Sequence, residues 1–241
     1  MKRNQKPITQ FQHGAFTLME LLVVIAIIGI LAGILIPAVG RAKTKAKVAA
    51  ARVEMAGLKL AIKSYHNDYS RWPYPSGAVA NSFGDLTFGY DDPADANATG
   101  TFNDNSSLMR ILMAEDPTRN PKKNIYIEPR ESLLEDIDKR NGFPGVSTFD
   151  RYHDPFGNPY IVSLDYNGDG NCTDALYGQR DVTGSASIGL VGKGAGGPYV
   201  LKGKVMIWTF GPDKESREDP GSQGDMGAMN RYNADNILSW R

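Results

Sequence analysis

Residues 14 to 40 read GAFTLMELLVVIAIIGILAGILIPAVG, and the sixteen positions from Leu21 to Ile36 hold no polar side chain. Run from Phe16 to Gly40, the stretch has 25 residues. As a helix it is about 37 Å long at about 1.5 Å per residue, and the hydrocarbon core of a bilayer is about 30 Å. The length predicts a membrane span. One charge breaks the pattern, Glu20, close to the start. A carboxylate there is costly in lipid and reads as functional. Two plainer readings are a secretory signal, with Lys2, Arg3 and Lys6 ahead of an apolar middle, and an ordinary anchor. Glu20 suits neither, because it shortens the apolar region and raises the cost of insertion.

These residues resemble the prepilin signal of type IV pilins and type II secretion pseudopilins. In that family prepilin peptidase, a membrane aspartic peptidase, removes a short basic leader just before a Phe. The Phe is followed by Thr-Leu, one free position and Glu. Here these are Phe16, Thr17, Leu18, Met19 and Glu20. Pro37, 21 residues after Phe16, falls where such proteins often carry a helix-loosening proline. The residue before Phe16 is Ala15, where the family usually has Gly, and Gly14 lies one further back. The resemblance implies cleavage between Ala15 and Phe16 and N-methylation of the new terminus. It also implies polymerisation with other subunits on an inner-membrane assembly platform. Glu20 has a physical role in that scheme. Cleavage frees the amine of Phe16 beside lipid, and the Glu20 carboxylate of a neighbouring subunit neutralises it. Such a pair is worth more in low dielectric than in water, although desolvation takes back much of the gain. Glu20 then sets the stagger between subunits.

The chain has 241 residues, enough for one moderate domain besides the anchor. Its 27 basic and 27 acidic residues cancel, and loss of Lys2, Arg3 and Lys6 leaves 24 basic against 27 acidic, a net of −3. A nucleic-acid partner wants a strong basic face, so none is expected. Cys172 is the only cysteine, which excludes an internal disulfide. His13, His66 and His153 are scattered and form no metal or catalytic cluster. Arg41, Lys43, Lys45 and Lys47 follow the apolar run, and the positive-inside rule applied to them opposes an inside N-terminus. The leader motif implies the inside N-terminus, and with it a C-terminal domain in the periplasm.

In order, residues 1–15 form the leader, 16–72 the helical segment, with 16–40 in membrane or filament core, and 73–241 a folded outer domain. After Gly40 the pattern becomes amphipathic. Val48, Ala51, Met55, Leu58, Ile62, Tyr65 and Tyr69 recur at spacings of 3 and 4, one apolar helix face. Trp72-Pro73 stops the helix, since the residue before proline avoids helical geometry. Pro37 and Gly29, Gly33 and Gly40 give it places to bend. Residues 73–103 read as a long loop with a hairpin around Leu86–Tyr90. Ser107–Ala114 reads as a short helix, Asn124–Pro129 as a strand and Glu131–Asp138 as a helical turn or two. The carboxylates Asp116, Glu135 and Asp138 read as solvated loop charges.

Asp154–Val162, DPFGNPYIV, is similar to the Asp-Pro-aromatic-Gly-x-Pro-Tyr segment of the major pseudopilin. Physically it is a turn running into a strand. Further strands are expected at Tyr199–Leu201 and Val205–Phe210. The fold class is α+β: a long N-terminal helix packed on a small antiparallel β-sheet domain with long loops, pilin-like.

Two stretches invite calcium. In DYNGDGN, Asp165, Asn167 and Asp169 alternate, with Gly170 and Asn171 next, like the first half of an EF-hand loop. The twelfth position is Leu176, so the bidentate Glu is missing and a different late ligand, such as Asp174, is needed; an ion-free Asx/Gly turn competes equally. The second is Gly211–Trp240. It resembles the acidic loop of type II pseudopilins, in which calcium supports the fold. Carried over, Asp213 matches the turn Asp, and Asp235 and Asn236 match the acidic pair before Ile237 and Trp240. The Gly189–Pro198 run lacks GKS/GKT, so a flexible loop is the better reading than a phosphate loop. With no nucleophile-base-acid arrangement, no enzyme is expected. The residues predict a structural subunit of a type II secretion pseudopilus or related type IV filament. The rivals are an adhesive or uptake pilin with a ligand-binding head, and a secreted calcium-binding domain with an ordinary signal.

Overall fold

The computed structural model describes residues 18–89, 104–129, 134–135, 151–183, 188–194, 197–212 and 235–241. The chain divides into two compact units, Met1–Lys45 and Ala46–Arg241. Helix α1 is Leu18–Tyr69, and the change of unit falls within it.

From Leu21 to Ile36, within the first unit, the helix is apolar all round, which a helix in water tolerates poorly. Pro37 lies inside it and removes the amide that would bond four residues back, at Gly33. A Cβ at Gly29, Gly33 or Gly40 would meet nothing within 4 Å, so these glycines are not required by packing within this unit.

In the second unit the amphipathic pattern takes effect. Ala51, Met55, Leu58, Ala61, Ile62 and Tyr65 are buried. The helix closes at Ser70, whose amide donates to the His66 carbonyl at 2.8 Å. Ser70 has φ of 52°, a left-handed cap that glycine usually takes. Trp72-Pro73 follows directly, as expected.

Four antiparallel strands form the main sheet, in the order β1-β4-β8-β9: Leu86–Phe88, Ile161–Leu164, Val205–Thr209 and Ile237–Leu238. Side chains on strands alternate between faces. Val162, Leu164, Val205 and Ile207 meet the buried face of α1 in one core. Ile161, Met206, Trp208 and Leu238 point the other way, into a second core with Cys172, Leu176, Tyr177 and Ile188. Both faces are covered, so these strands are hydrophobic at nearly every position. The Tyr160 hydroxyl donates to Glu54 on α1 at 2.6 Å and ties the helix to the sheet.

Helix α2, Asn105–Leu112, is capped by Asp104, which accepts from the Ser106 amide. Buried Asn105 donates to the Tyr152 and Tyr160 carbonyls at 3.0 and 2.8 Å. Strand β2, Leu134–Glu135, pairs with β3, Arg151–Tyr152. Strands β5, Asn171–Cys172, and β6, Val191–Gly192, flank β7, Tyr199–Lys202. A four-residue helix, α3, covers Arg180–Thr183.

Three local expectations are corrected. Among the described residues Leu86–Phe88 pairs with the distant β4, Leu86 opposite Leu164, and not with a neighbouring hairpin strand. Asn124–Pro129 is no strand; it is irregular chain with Tyr126 and Ile127 packed on the core. Within Glu131–Asp138 the described pair Leu134–Glu135 is strand, not helix.

Candidate functional site

Ala15 and Phe16 lie outside the described residues. Glu20 stands in the first turn of α1 and is exposed. An acidic group there favours the positive end of the helix dipole. From Leu18 to Val39 every large apolar side chain is at least 45 % exposed. None of the most apolar 18-residue window of α1 is buried. Apolar surface on this scale demands lipid or other apolar chains. The helix is long and apolar enough to cross a membrane.

The DYNGDGN loop is organised by its own carboxylates. Asp165, 1 % exposed, accepts from the Gly168 and Gly170 amides at 2.9 and 3.0 Å. Asn167 accepts from the Asp169 amide, and Asp169 from the Asn171 amide. Asp169 also pairs with Lys193, which holds its carboxyl below the usual range. Lys193 belongs to the glycine run, whose described part is β6 followed by a turn closed by the Lys193 amide on Pro198. Asp85 reaches the same loop and accepts from the Tyr166 and Thr173 amides. Burial pushes its pKa up, against those hydrogen bonds. Among the described residues no group of three or more His, Cys, Asp or Glu is placed to hold a metal ion. Both carboxylate oxygens of Asp165 accept from backbone amides, which suits an Asx/Gly turn.

At the second stretch, Asp213 lies outside the described residues. Asp235 and Asn236 stand half-buried just before β9. Asn236 donates to the Tyr177 hydroxyl at 2.7 Å. A Cβ on Gly211 would lie 2.3 Å from the Asp235 carbonyl oxygen, so the ends of segment 212–234 are held together. Asp235 and Asn236 also line a recess of about 330 Å³ with Val48, Arg52, Ile237, Leu238 and Arg241. The two arginines oppose a cation inside the recess.

Two further buried carboxylates organise the domain, and Asp174, the candidate late ligand for the Asp165 loop, is one of them. Asp174 is wholly buried and accepts from Ser163 Oγ, Trp208 Nε1 and the Leu176 and Tyr177 amides. Burial raises its pKa. Asp154 accepts from the Phe156 and Asn158 amides and from Thr209 Oγ1. These groups organise turns. Cys172 is buried and its thiol is pushed well up, so it is inert.

With this geometry in place, the chain can be set beside known proteins. Residues 11–36 match the family model of the prokaryotic N-terminal methylation motif. A type IV major pilin protein of Neisseria gonorrhoeae is 41% identical over 58 residues, 24% of this chain and 35% of the relative. A fimbrial protein of Neisseria meningitidis serogroup A is 41% identical over 69 residues, 28% of this chain and 41% of the relative. Fimbrial protein EcpC of Eikenella corrodens is 41% identical over 70 residues, 29% of this chain and 45% of the relative. The protein is type IV pilin-like and carries a prepilin-type signal. The chain spans less than half the length of these relatives. No solved structure matches.

Proposed function

We propose that this chain is a structural subunit of a type IV filament. The observation that carries the reading is a prepilin-type motif opening an apolar helical segment, residues 18–39, whose large side chains are all exposed. Such a surface is satisfied first by a bilayer and then by like helices in a filament core. Prepilin peptidase cuts before Phe16, and the new terminus is methylated. Glu20 pairs with the Phe16 amine of a neighbour and sets its stagger, while Pro37 lets the apolar helix adjust. An inner-membrane platform assembles the subunits, with the folded domain on the periplasmic side. No step is catalytic.

Within that class the type II secretion pseudopilus is the finer reading. It is supported by the DPFGNPY turn, which leads into β4, and by the acidic stretch before β9. Calcium belongs to the same reading. Asp213, Asp235 and Asn236 would hold it on the loop side of Asp235. Its support is the closed base at Gly211 and five acidic residues between 213 and 225. When bound, the ion would neutralise that negative charge and brace the long excursion between β8 and β9.

The deciding experiment reads the mature N-terminus by mass spectrometry, in cells with and without prepilin peptidase. A methylated terminus at Phe16 that requires the peptidase is expected. A terminus beyond Gly40 in both strains overturns the reading. For the ion, chelation is expected to lower the melting temperature of the purified chain. An unchanged melt removes calcium without touching the filament reading.

A further inference from the structure

We propose that Arg41, Lys43 and Lys45 form a ring that binds the phosphate groups of anionic phospholipids at the C-terminal end of the apolar segment. The proposal rests on the reading that this segment spans a bilayer. Four observations support it, all within the first unit.

The first is angular. Residues on a helix are set about 100° apart. Arg41 and Lys45, four residues apart, share one face. Lys43 lies about 200° round from Arg41, on the opposite face. The cations therefore surround the helix instead of marking one stripe. A protein partner reads one face, whereas a headgroup layer meets the whole circumference. The residues between are small, Ala42 and Thr44. Thr44 turns its hydroxyl back to the Gly40 carbonyl at 3.2 Å, so it leaves the periphery to the long cationic arms.

The second is axial. Arg41 follows Glu20 by 21 positions. At about 1.5 Å per residue that is about 31 Å, close to the hydrocarbon thickness of about 30 Å. With Glu20 at one headgroup layer, the ring falls at the other. The third is charge balance. Between residues 18 and 45 the only carboxylate is Glu20, at the far end. No acidic side chain of this segment is placed to neutralise the ring. The fourth is access, since all three side chains are exposed. Lys47 differs. It lies over the Phe156 ring, 5.1 Å from the centroid, and belongs to the folded domain.

The chemistry follows the side chains. Arg41 offers a planar fork that takes a phosphate through two hydrogen bonds, and the lysines act as point charges on flexible stems. Their methylene arms lie along the apolar surface while the heads reach the phosphates. Each basic residue near an anionic surface changes partition by roughly five-fold. The ring would hold the subunit at fixed depth in the bilayer before assembly.

The test uses the full chain in vesicles of mixed phosphatidylcholine and phosphatidylglycerol. After mild extraction, the lipids that stay bound are counted by native mass spectrometry. The expected result is phosphatidylglycerol enrichment on the order of five-fold over the bilayer composition. It should vanish in the triple variant Arg41→Gln, Lys43→Gln, Lys45→Gln and persist in Arg41→Lys, Lys43→Arg, Lys45→Arg. Equal enrichment in the wild type and the glutamine variant overturns the proposal. So does its absence from both. Displacement by excess inorganic phosphate would mean that the ring takes any phosphate and would overturn the assignment to lipid. Loss of enrichment in Glu20→Gln would point to carboxylate pairing between copies and also overturn it. Flotation with pure phosphatidylcholine vesicles separates the two readings. A chain that floats without lipid preference sinks only the ring; a chain that does not float sinks the membrane span itself.

Discussion

Gly89 closes β1 at φ of 101°, and a Cβ there would lie 2.2 Å from the Tyr160 carbonyl oxygen. Backbone cannot yield as a flexible side chain can. Gly89→Ala is expected to cost about 2–4 kcal/mol, read by chemical denaturation of the full chain in detergent. His66 gives a prediction of a different kind. Its ring packs on Trp72 with centroids 4.0 Å apart. Burial, with Lys204 nearby, pulls its pKa below the ordinary imidazole value. The unfolded chain therefore takes the proton first. Stability is present above the unfolded pKa of about 6.5 and is lost as pH falls through the lower folded value. Melting temperature should drop between about pH 7 and about pH 5, and His66→Gln should flatten that drop. An equal drop in the variant would assign the pH dependence to other groups.

Helix α1 tests the difference between a buried and an exposed apolar residue on one element. Met55, Leu58 and Ile62 are at most 1 % exposed, whereas Val53 and Leu60 are 72 % and 67 % exposed. Leu58→Ala should cost about 2–5 kcal/mol, while Leu60→Ala should stay within about 0.5 kcal/mol. Denaturation midpoints of the two variants check this. The buried face was legible in the spacing, because a 3-and-4 repeat has only one helical meaning. The strands β4 and β8 were legible too, as apolar runs bounded by turn residues. Asn124–Pro129 misled because Tyr126 and Ile127 show the composition of a strand. They gain their burial from the core, with no ladder beside them. Leu86–Phe88 misled because its partner lies far along the chain, and a hairpin signal is blind to distant pairing. At the candidate site, the methylation motif over residues 11–36 was legible because it is a pattern of linear sequence. Asp85 was not, since an aspartate that serves buried amides looks like any other until its surroundings are known, and Asp174 invited a calcium reading although its oxygens accept from Ser163, Trp208 and two backbone amides.

At the level of the whole molecule, the chain combines a domain with two cores and a segment with none. Without lipid or detergent the full chain is expected to self-associate, and a variant lacking residues 16–40 to remain soluble, both read by sedimentation. A monodisperse full chain in plain buffer would contradict the account of the exposed helix. Glu20→Ala tests assembly separately. Processing should continue, because the proposed cut lies before Phe16, while filament yield should fall by at least about ten-fold if one ion pair of about 1.4 kcal/mol or more is lost per contact. Normal filaments from that variant would remove Glu20 from the registry.

The close approach of Gly211 to Asp235 has a practical side. Strands β8 and β9 pair directly, Thr209 opposite Ile237, whatever the length of chain between them. Lengthening the chain between two paired strands raises the closure cost by only about 0.6 kcal/mol per doubling, so positions 214 to 234 are a place to insert. An epitope or affinity tag placed there should leave the sheet intact and give a handle on assembled fibres.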